Sequence, residues 1–281
     1  MAITYHAGKR IQGLVVGTTF EDNFSTDQWD DLSTAIAVNV STGVIDWDSE
    51  RDVANCTVYD LGAGNVSDSK WILRFKFSPT TVTSSGGTGI PVYVGLSDSD
   101  ENATGSVSQD SISLRSSIDT SAGATYKGAT GDGANMESVV VSFATVPSVG
   151  SVYVELIRTS ATTATCEIFS DSAYTTSVES ENMTVSSTCD NLRYIKVSNY
   201  NGVGSTGSND FIGTIDDVEF YNNASSVADA YTKFQTGSRW EETGTRNILH
   251  LDSVGWKDVD GIEATNYRSA SWYEQLSGEI P

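Results

Sequence analysis

Short runs of apolar residues, alternating with polar ones or continuous, recur along most of the chain, and clusters of Ser, Thr, Gly, Asn and Asp separate them. Period-two runs bounded by turn residues predict β-strands. The clearest lie at residues 71–77 (WILRFKF), 92–96 (VYVGL), 138–143 (SVVVSF), 152–158 (VYVELIR), 164–169 (ATCEIF), 192–197 (LRYIKV) and 213–221 (GTIDDVEFY). In the first run Trp71, Leu73, Phe75 and Phe77 share one face, and Ile72, Arg74 and Lys76 share the other. That arrangement predicts a strand with one face on a core and one toward water. Glycine-rich stretches at 84–89, 128–133 and 202–207 predict loops. The one helical pattern is short, near 225–234, with Ser225 as its cap.

The pattern changes at both ends. Residues 1–17 read as an arm, 18–222 as one large β domain, 223–234 as a short helical linker and 235–281 as a Trp-containing hairpin extension. Trp240, Trp256 and Trp272 are three of the chain's six Trp, gathered in a segment too short to bury them by itself. The extension is therefore expected to rest on its own domain or on another subunit. At 281 residues the chain is long enough for one large β-sandwich with accessory segments.

Charge narrows the partners. The net charge is −21, and the segments 1–17, 18–231 and 232–281 contribute +2, −20 and −3. An acidic domain repels phosphates and anionic lipid, which excludes nucleic acid as a natural partner. No stretch approaches the roughly 20 apolar residues of a membrane helix, and the first ten residues (MAITYHAGKR) lack the apolar core of an export signal. Cys56, Cys166 and Cys189 match no zinc or CxxC spacing; a Cys166–Cys189 bridge and buried free thiols both remain open.

The opening FEDNF at 20–24, followed by Trp29, together with the late GTIDDVEFYN at 213–222, resembles the first and last strands of concanavalin A-like or laminin G-like domains. The resemblance implies an all-β, concanavalin A-like jelly-roll β-sandwich over about residues 18–222, with its terminal strands side by side. That fold hosts lectins, glycosidases and structural modules alike. A basic arm with Lys9 and Arg10, this jelly roll and the RWEETGTR tail at 239–246 are together similar to virion-type proteins of marine phages and archaeal viruses.

Several clusters carry candidate chemistry. Glycosidases of this fold use paired carboxylates about 5 Å apart for retention, and Asp46, Asp48 and Glu50 share one face if extended, with Trp47 beside them. The related endoglucanases have Glu where Asp46 stands, so a solvated strand with Trp47 in the core is the competing reading. Asp98, Asp100 and Glu101 directly follow a strand and offer oxygen ligands to a structural Ca²⁺, or form a solvated turn. Pairing of the terminal strands brings Glu21 or Asp22 to Asp216 or Asp217, where the resemblance implies a second Ca²⁺ site. His6 and His250 lack partners at metal-binding spacing and read as surface or interface residues. The six sequons, at Asn39, Asn55, Asn65, Asn102, Asn182 and Asn223, are those a Ser- and Thr-rich chain holds by chance.

The functional expectation is a non-enzymatic structural or adhesive protein of a virion or extracellular surface. Its ends, through Lys9, Arg10, Trp240, Trp256 and Trp272, hold it to further copies or other virion proteins, and its jelly roll meets cell-surface glycans. The alternatives are a Ca²⁺-dependent carbohydrate-binding module using loop aromatics such as Tyr126 or Tyr200, and an endo-glycosidase built on Asp46, Asp48 and Glu50.

Overall fold

The computed structural model describes residues 3–6, 9–12, 19–32, 34–48, 56–83, 91–101, 109–119, 123–133, 139–146, 150–199, 210–226, 239–241, 248–251 and 256–258. Among them every regular element is a strand. In chain order these are β1 (Ile3–His6), β2 (Lys9–Gln12), β3 (Thr19–Asp22), β4 (Asp30–Asp31), β5 (Ile36–Asn39), β6 (Val44–Asp48), β7 (Cys56–Asp60), β8 (Trp71–Thr83), β9 (Val92–Ser97) and β10 (Asp110–Asp119). They continue as β11 (Gly123–Asp132), β12 (Val139–Ser142), β13 (Val152–Arg158), β14 (Thr163–Phe169), β15 (Ser177–Thr184), β16 (Tyr194–Asn199), β17 (Asp210–Asn222), β18 (Arg239–Glu241), β19 (Ile248–Leu251) and β20 (Trp256–Asp258). The chain divides into two units, Thr19–Ser225 and the two ends Met1–Thr18 with Ser226–Pro281.

The larger unit is a sandwich of two antiparallel sheets. One has the order β12-β11-β10-β9-β16-β7-β4, the other β15-β14-β13-β8-β17-β6-β5, with β3 added beside β17. The expected side-by-side terminal strands are present: β3 runs antiparallel to β17, with Phe20 opposite Phe220. The same edge of β17 takes β6 further along, Ile215 facing Ile45, while its other edge follows β8.

Alternation explains which faces meet. Trp71, Leu73, Phe75 and Phe77 of β8 are fully buried between the sheets, and Arg74 and Lys76 lie on the outer face. Ile72 departs from the expectation of a wet face; it is fully buried, flanked across the strands by Tyr221 and Ile157. Strand β9, central between β10 and β16, is buried at every position, as its continuous apolar run requires. Aromatic contacts join the layers: the Trp47 ring stacks on Phe77 at 5.2 Å and meets Phe211 edge-on at 4.6 Å, and Phe77 meets Tyr126 of the facing sheet at 5.9 Å. Each such fully buried side chain contributes about 1.5–3 kcal/mol.

Two expectations are corrected. Strand β11 runs through to Asp132, so 128–133 is mostly strand, and the turn begins only at Gly133 with φ +74°. Gly128 is needed for close approach, since a Cβ there would lie 2.6 Å from the Met183 sulfur and 3.1 Å from Val141. Tyr126, expected on a loop, stands in β11 with its ring in the core at 1% exposure. All three cysteines are free and buried, which settles the thiol alternative. Burial pushes the Cys56 thiol up to about 11 and that of Cys189 up to about 12.

The ends form an antiparallel sheet of order β1-β2-β18-β19-β20. Ile11 stands opposite Trp240, and Arg10 opposite Glu241, so the amino-terminal arm pairs with the carboxy-terminal segment. Trp256 opens β20, across from Leu251. Trp272 and positions 227–234 of the expected helix lie outside the described residues.

Gly213 marks where three strands crowd: a Cβ there would sit 2.4 Å from the Ser78 carbonyl oxygen, 2.5 Å from the Trp47 ring and 2.9 Å from the Pro79 Cα. The expected effect of Gly213→Ala is a loss of about 1–3 kcal/mol in denaturant unfolding, because backbone or Trp47 must move. Unchanged stability would show that the interlayer space there is loose.

Candidate functional site

The terminal pair of strands lines a cleft on the outer surface of its sheet. Asp22 ends β3 and turns inward: its Oδ1 accepts the Phe24 amide at 2.7 Å and its Oδ2 accepts the Trp29 indole N–H at 2.9 Å. Both oxygens are committed to the turn that seats Phe24, at φ +53°, and Trp29 in the core. Asp216 turns away toward Lys76, 3.7 Å distant. The four acids expected to converge are therefore divided.

A bulge makes the division. The β17–β8 register shifts between Asp216 and Glu219, with Asp217 at φ +51°. Beyond it Glu219 comes directly opposite Glu21 on β3. Glu21, Asp217 and Glu219 line one side of a cleft of about 360 Å³, and Tyr153 and Tyr174 line the other. This volume falls in the ~300–1,000 Å³ range of small-molecule sites.

Tyr174 reaches the cleft from the turn between β14 and β15. The Asp171 carboxylate ties that turn by accepting the amides of Ala173 at 3.0 Å and Thr176 at 2.6 Å. The Tyr174 ring is fixed by edge contacts to Phe169 at 5.4 Å and Tyr153 at 6.0 Å, and by the Arg74 guanidinium 4.0 Å from its centroid. Arg74 is held in turn by Glu155 at 2.5 Å. Glu219 accepts the Tyr221 hydroxyl at 2.8 Å. Burial, with the charges of Glu21 and Asp217, raises the Glu219 carboxyl above its ordinary value despite Tyr221 and Arg74. Burial and the Asp216 charge raise Asp217 likewise.

The second expected set is arranged around a lysine. Lys196, on the outer face of the seven-stranded sheet, donates to the carbonyls of Ser99 at 3.1 Å and Glu101 at 2.5 Å and to Gln109 Oε1 at 3.0 Å. The backbone oxygens that a hard cation would use thus face an ammonium already. Asp98 accepts the Asp110 amide at 3.0 Å, and burial raises its carboxyl. Asp100 and Glu101 are exposed. Among the described residues no group of three or more carboxylate, imidazole or thiol side chains stands where it could hold a metal ion.

Asp46 is exposed and accepts the Asn39 side-chain amide at 2.7 Å. Trp47 is 1% exposed and belongs to the core, as the competing reading of this strand had it. Glu50 and Tyr200 lie outside the described residues, and His6 and His250 stand within β1 and β19. Glu219, Tyr153 and Tyr174 are additions of the structure. Alternation along 213–221, set against the expected pairing with β3, was the signal that could have found Glu219.

Two outcomes test this electrostatic arrangement. Asp22→Ala leaves a buried indole N–H and an amide without acceptors, and the expected cost is about 2–4 kcal/mol in chemical unfolding; a cost below the scatter of surface mutants would remove Asp22 from its structural role. The raised Glu219 pKa means that the folded state binds the proton more firmly than the unfolded chain. Ionisation of Glu219 therefore costs stability as pH rises from about 4.3 through the raised value. Glu219→Gln should melt above wild type at pH 7 and equal it near pH 4, and a lower melting temperature at pH 7 would reverse the sign.

No protein-family model matches the chain. The curated proteins likewise contain no match. Among solved structures, the winged bean acidic lectin complexed with methyl-α-D-galactose is similar at 9% identity over 73% of this chain and 98% of that chain, TM-score 0.52. Alginate lyase Aly36B aligns at 11% identity over 74% and 98%, TM-score 0.47. The CBM2 module of the Lactobacillus casei BL23 phage J-1 evolved Dit aligns at 11% identity over 74% and 98%, TM-score 0.45. The likeness to the winged bean lectin concerns the fold alone, and with the sheet order above it makes the larger unit a concanavalin A-like β-sandwich.

Proposed function

We propose that the protein is a non-enzymatic adhesive or structural protein of a virion or extracellular surface, whose β-sandwich binds glycans in the cleft at the β17 bulge. The observation that carries this reading is the cleft itself: about 360 Å³, with the rings of Tyr153 and Tyr174 on one side and the carboxylates of Glu21, Asp217 and Glu219 on the other. Sugars present both apolar C–H faces and hydroxyl donors, so an aromatic wall facing carboxylate acceptors matches them. The wall is rigid, because Arg74, Phe169 and Tyr153 hold Tyr174 in place. A lectin of the same fold was solved with methyl-α-D-galactose, which supports a sugar ligand at the level of fold analogy.

Attachment through the chain ends completes the reading. Both ends enter one sheet, and the strands that carry Lys9, Arg10 and Trp240 are hydrogen-bonded neighbours in it.

A glycan array probed with the labelled full chain tests the reading. Binding to a defined sugar class is expected, with a loss of tenfold or more on Tyr174→Ala or Tyr153→Ala while the melting transition remains cooperative. Equal binding by both variants would remove the cleft from the function. Silence across the array would end the glycan reading, and release of new reducing ends from any polysaccharide would replace binding by hydrolysis.

A further inference from the structure

The Gln109 amide and the Lys196 ammonium meet out of reach of water, and one atom of the pair is left unmatched. Gln109 is 0% exposed and Lys196 4%. Gln109 Oε1 accepts both the Lys196 Nζ at 3.0 Å and the Ser97 hydroxyl at 3.1 Å. Exchanging the amide's oxygen and nitrogen would set its N–H groups against an ammonium, so its orientation is fixed. Gln109 Nε2 consequently has no hydrogen-bond partner among the described residues. A buried amide nitrogen without an acceptor is costly, and so is a buried ammonium. Burial lowers the Lys196 pKa, against the opposing charges of nearby acids, and so favours the neutral, nucleophilic amine.

We infer that Lys196 and Gln109 join in an intramolecular isopeptide bond. The Nζ–Cδ bond forms, the Cδ–Nε2 bond breaks, and the departing nitrogen leaves as an ammonium ion with the protons that Lys196 gives up. An ammonium and a carboxamide become a secondary amide and an ammonium ion, so no oxidant, reductant or cofactor is consumed. The Ser97 hydroxyl already donates to Oε1, the oxygen that gains negative charge in the tetrahedral intermediate. A small cleft of about 10 Å³, lined in part by Ser97, Gln109, Ser111 and Lys196, holds about one water to carry protons between the two nitrogens. Amine and amide held in contact react as a unimolecular pair, at an effective concentration no solution reaches. The product has lost both the buried charge and the unmatched nitrogen, and its remaining N–H keeps the Ser99 and Glu101 carbonyls as acceptors. Gln109 directly precedes β10, Lys196 lies on β16, and β9 runs between those strands. The bond fastens three neighbouring strands across 87 residues. It restricts the unfolded chain as a disulfide would, without an oxidising medium. It is independent of the glycan-binding reading.

Peptide mapping by mass spectrometry on the full chain, folded and held at neutral pH, tests the bond. The expected result is a chain about 17 Da lighter than its sequence, the mass of ammonia. Trypsin should leave the chain uncut after Lys196, with that peptide joined to the one containing Gln109. Lys196→Arg and Gln109→Met should each show the full mass of their sequences, since each lacks one reacting group. A wild-type chain of full mass that trypsin cuts after Lys196 would overturn the inference. The same loss mapped to another position, or persisting in either variant, would overturn it as well. If neither variant folds, the wild-type map decides alone.

Discussion

Strand β17 holds three neighbours at once, and its register fixes most of the eight-stranded sheet. β8 follows one edge through the length of the strand, while β6 and then β3 share the other edge. A slip of one residue would turn every side chain of β17 to the opposite face. Phe211, Ile215, Val218 and Phe220 are all buried, so such a slip is excluded by the core. The buried set does not follow strict alternation, however: Ile215 and Val218 are three apart. The bulge between Asp216 and Glu219 supplies the extra residue and restores the inward direction beyond it. The same bulge opens the cleft and aims Asp217 and Glu219 at it.

The interlayer aromatic group depends on that register. Trp47 stands opposite Gly213, and only a residue without a Cβ leaves room for the indole. From there the contacts pass to Phe77 and Phe211 and across to Tyr126. A second interlayer contact lies at the other end of the β17 edge, where Phe20 of β3 stacks on Tyr59 of β7 at 3.9 Å and Trp29 lies 5.9 Å from the same ring. Asp22 fixes Trp29 there, so a residue that looked like a ligand belongs to the mechanics of the sandwich.

Backbone carbonyls meet two buried cations, Lys196 and Arg158. Lys196 is 4% exposed, and two backbone carbonyls and an amide oxygen surround its ammonium. Arg158, likewise buried, donates to the carbonyls of Ala161 at 2.9 Å and Cys189 at 2.7 Å. Fixed backbone dipoles offset the burial of both charges, although Arg158 Nη1 has no hydrogen-bond partner among the described residues. Around Lys196 the carbonyls of Ser99 and Glu101, next to the acids expected to hold a metal, accept from an ammonium of the chain itself.

The sequence by itself determined the two-faced strands and the all-β class, because period-two burial and turn chemistry are local properties written residue by residue; the adjacency of the terminal strands was implied by the resemblance of FEDNF and GTIDDVEFYN to the first and last strands of concanavalin A-like domains. The same resemblance brought Glu21 and Asp217 to one edge. Tertiary structure alone decided the rest. That residues 128–132 are strand is decided by their pairing with β10 and β12. Tyr126 and Trp47 went to the core because of the layers they meet, and their composition in sequence is equally that of a sugar platform. The cleft required a bulge, a turn held by Asp171 and an arginine under Tyr174, drawn from segments as far apart in sequence as Arg74 and Glu219, whose side-chain directions no local pattern encodes.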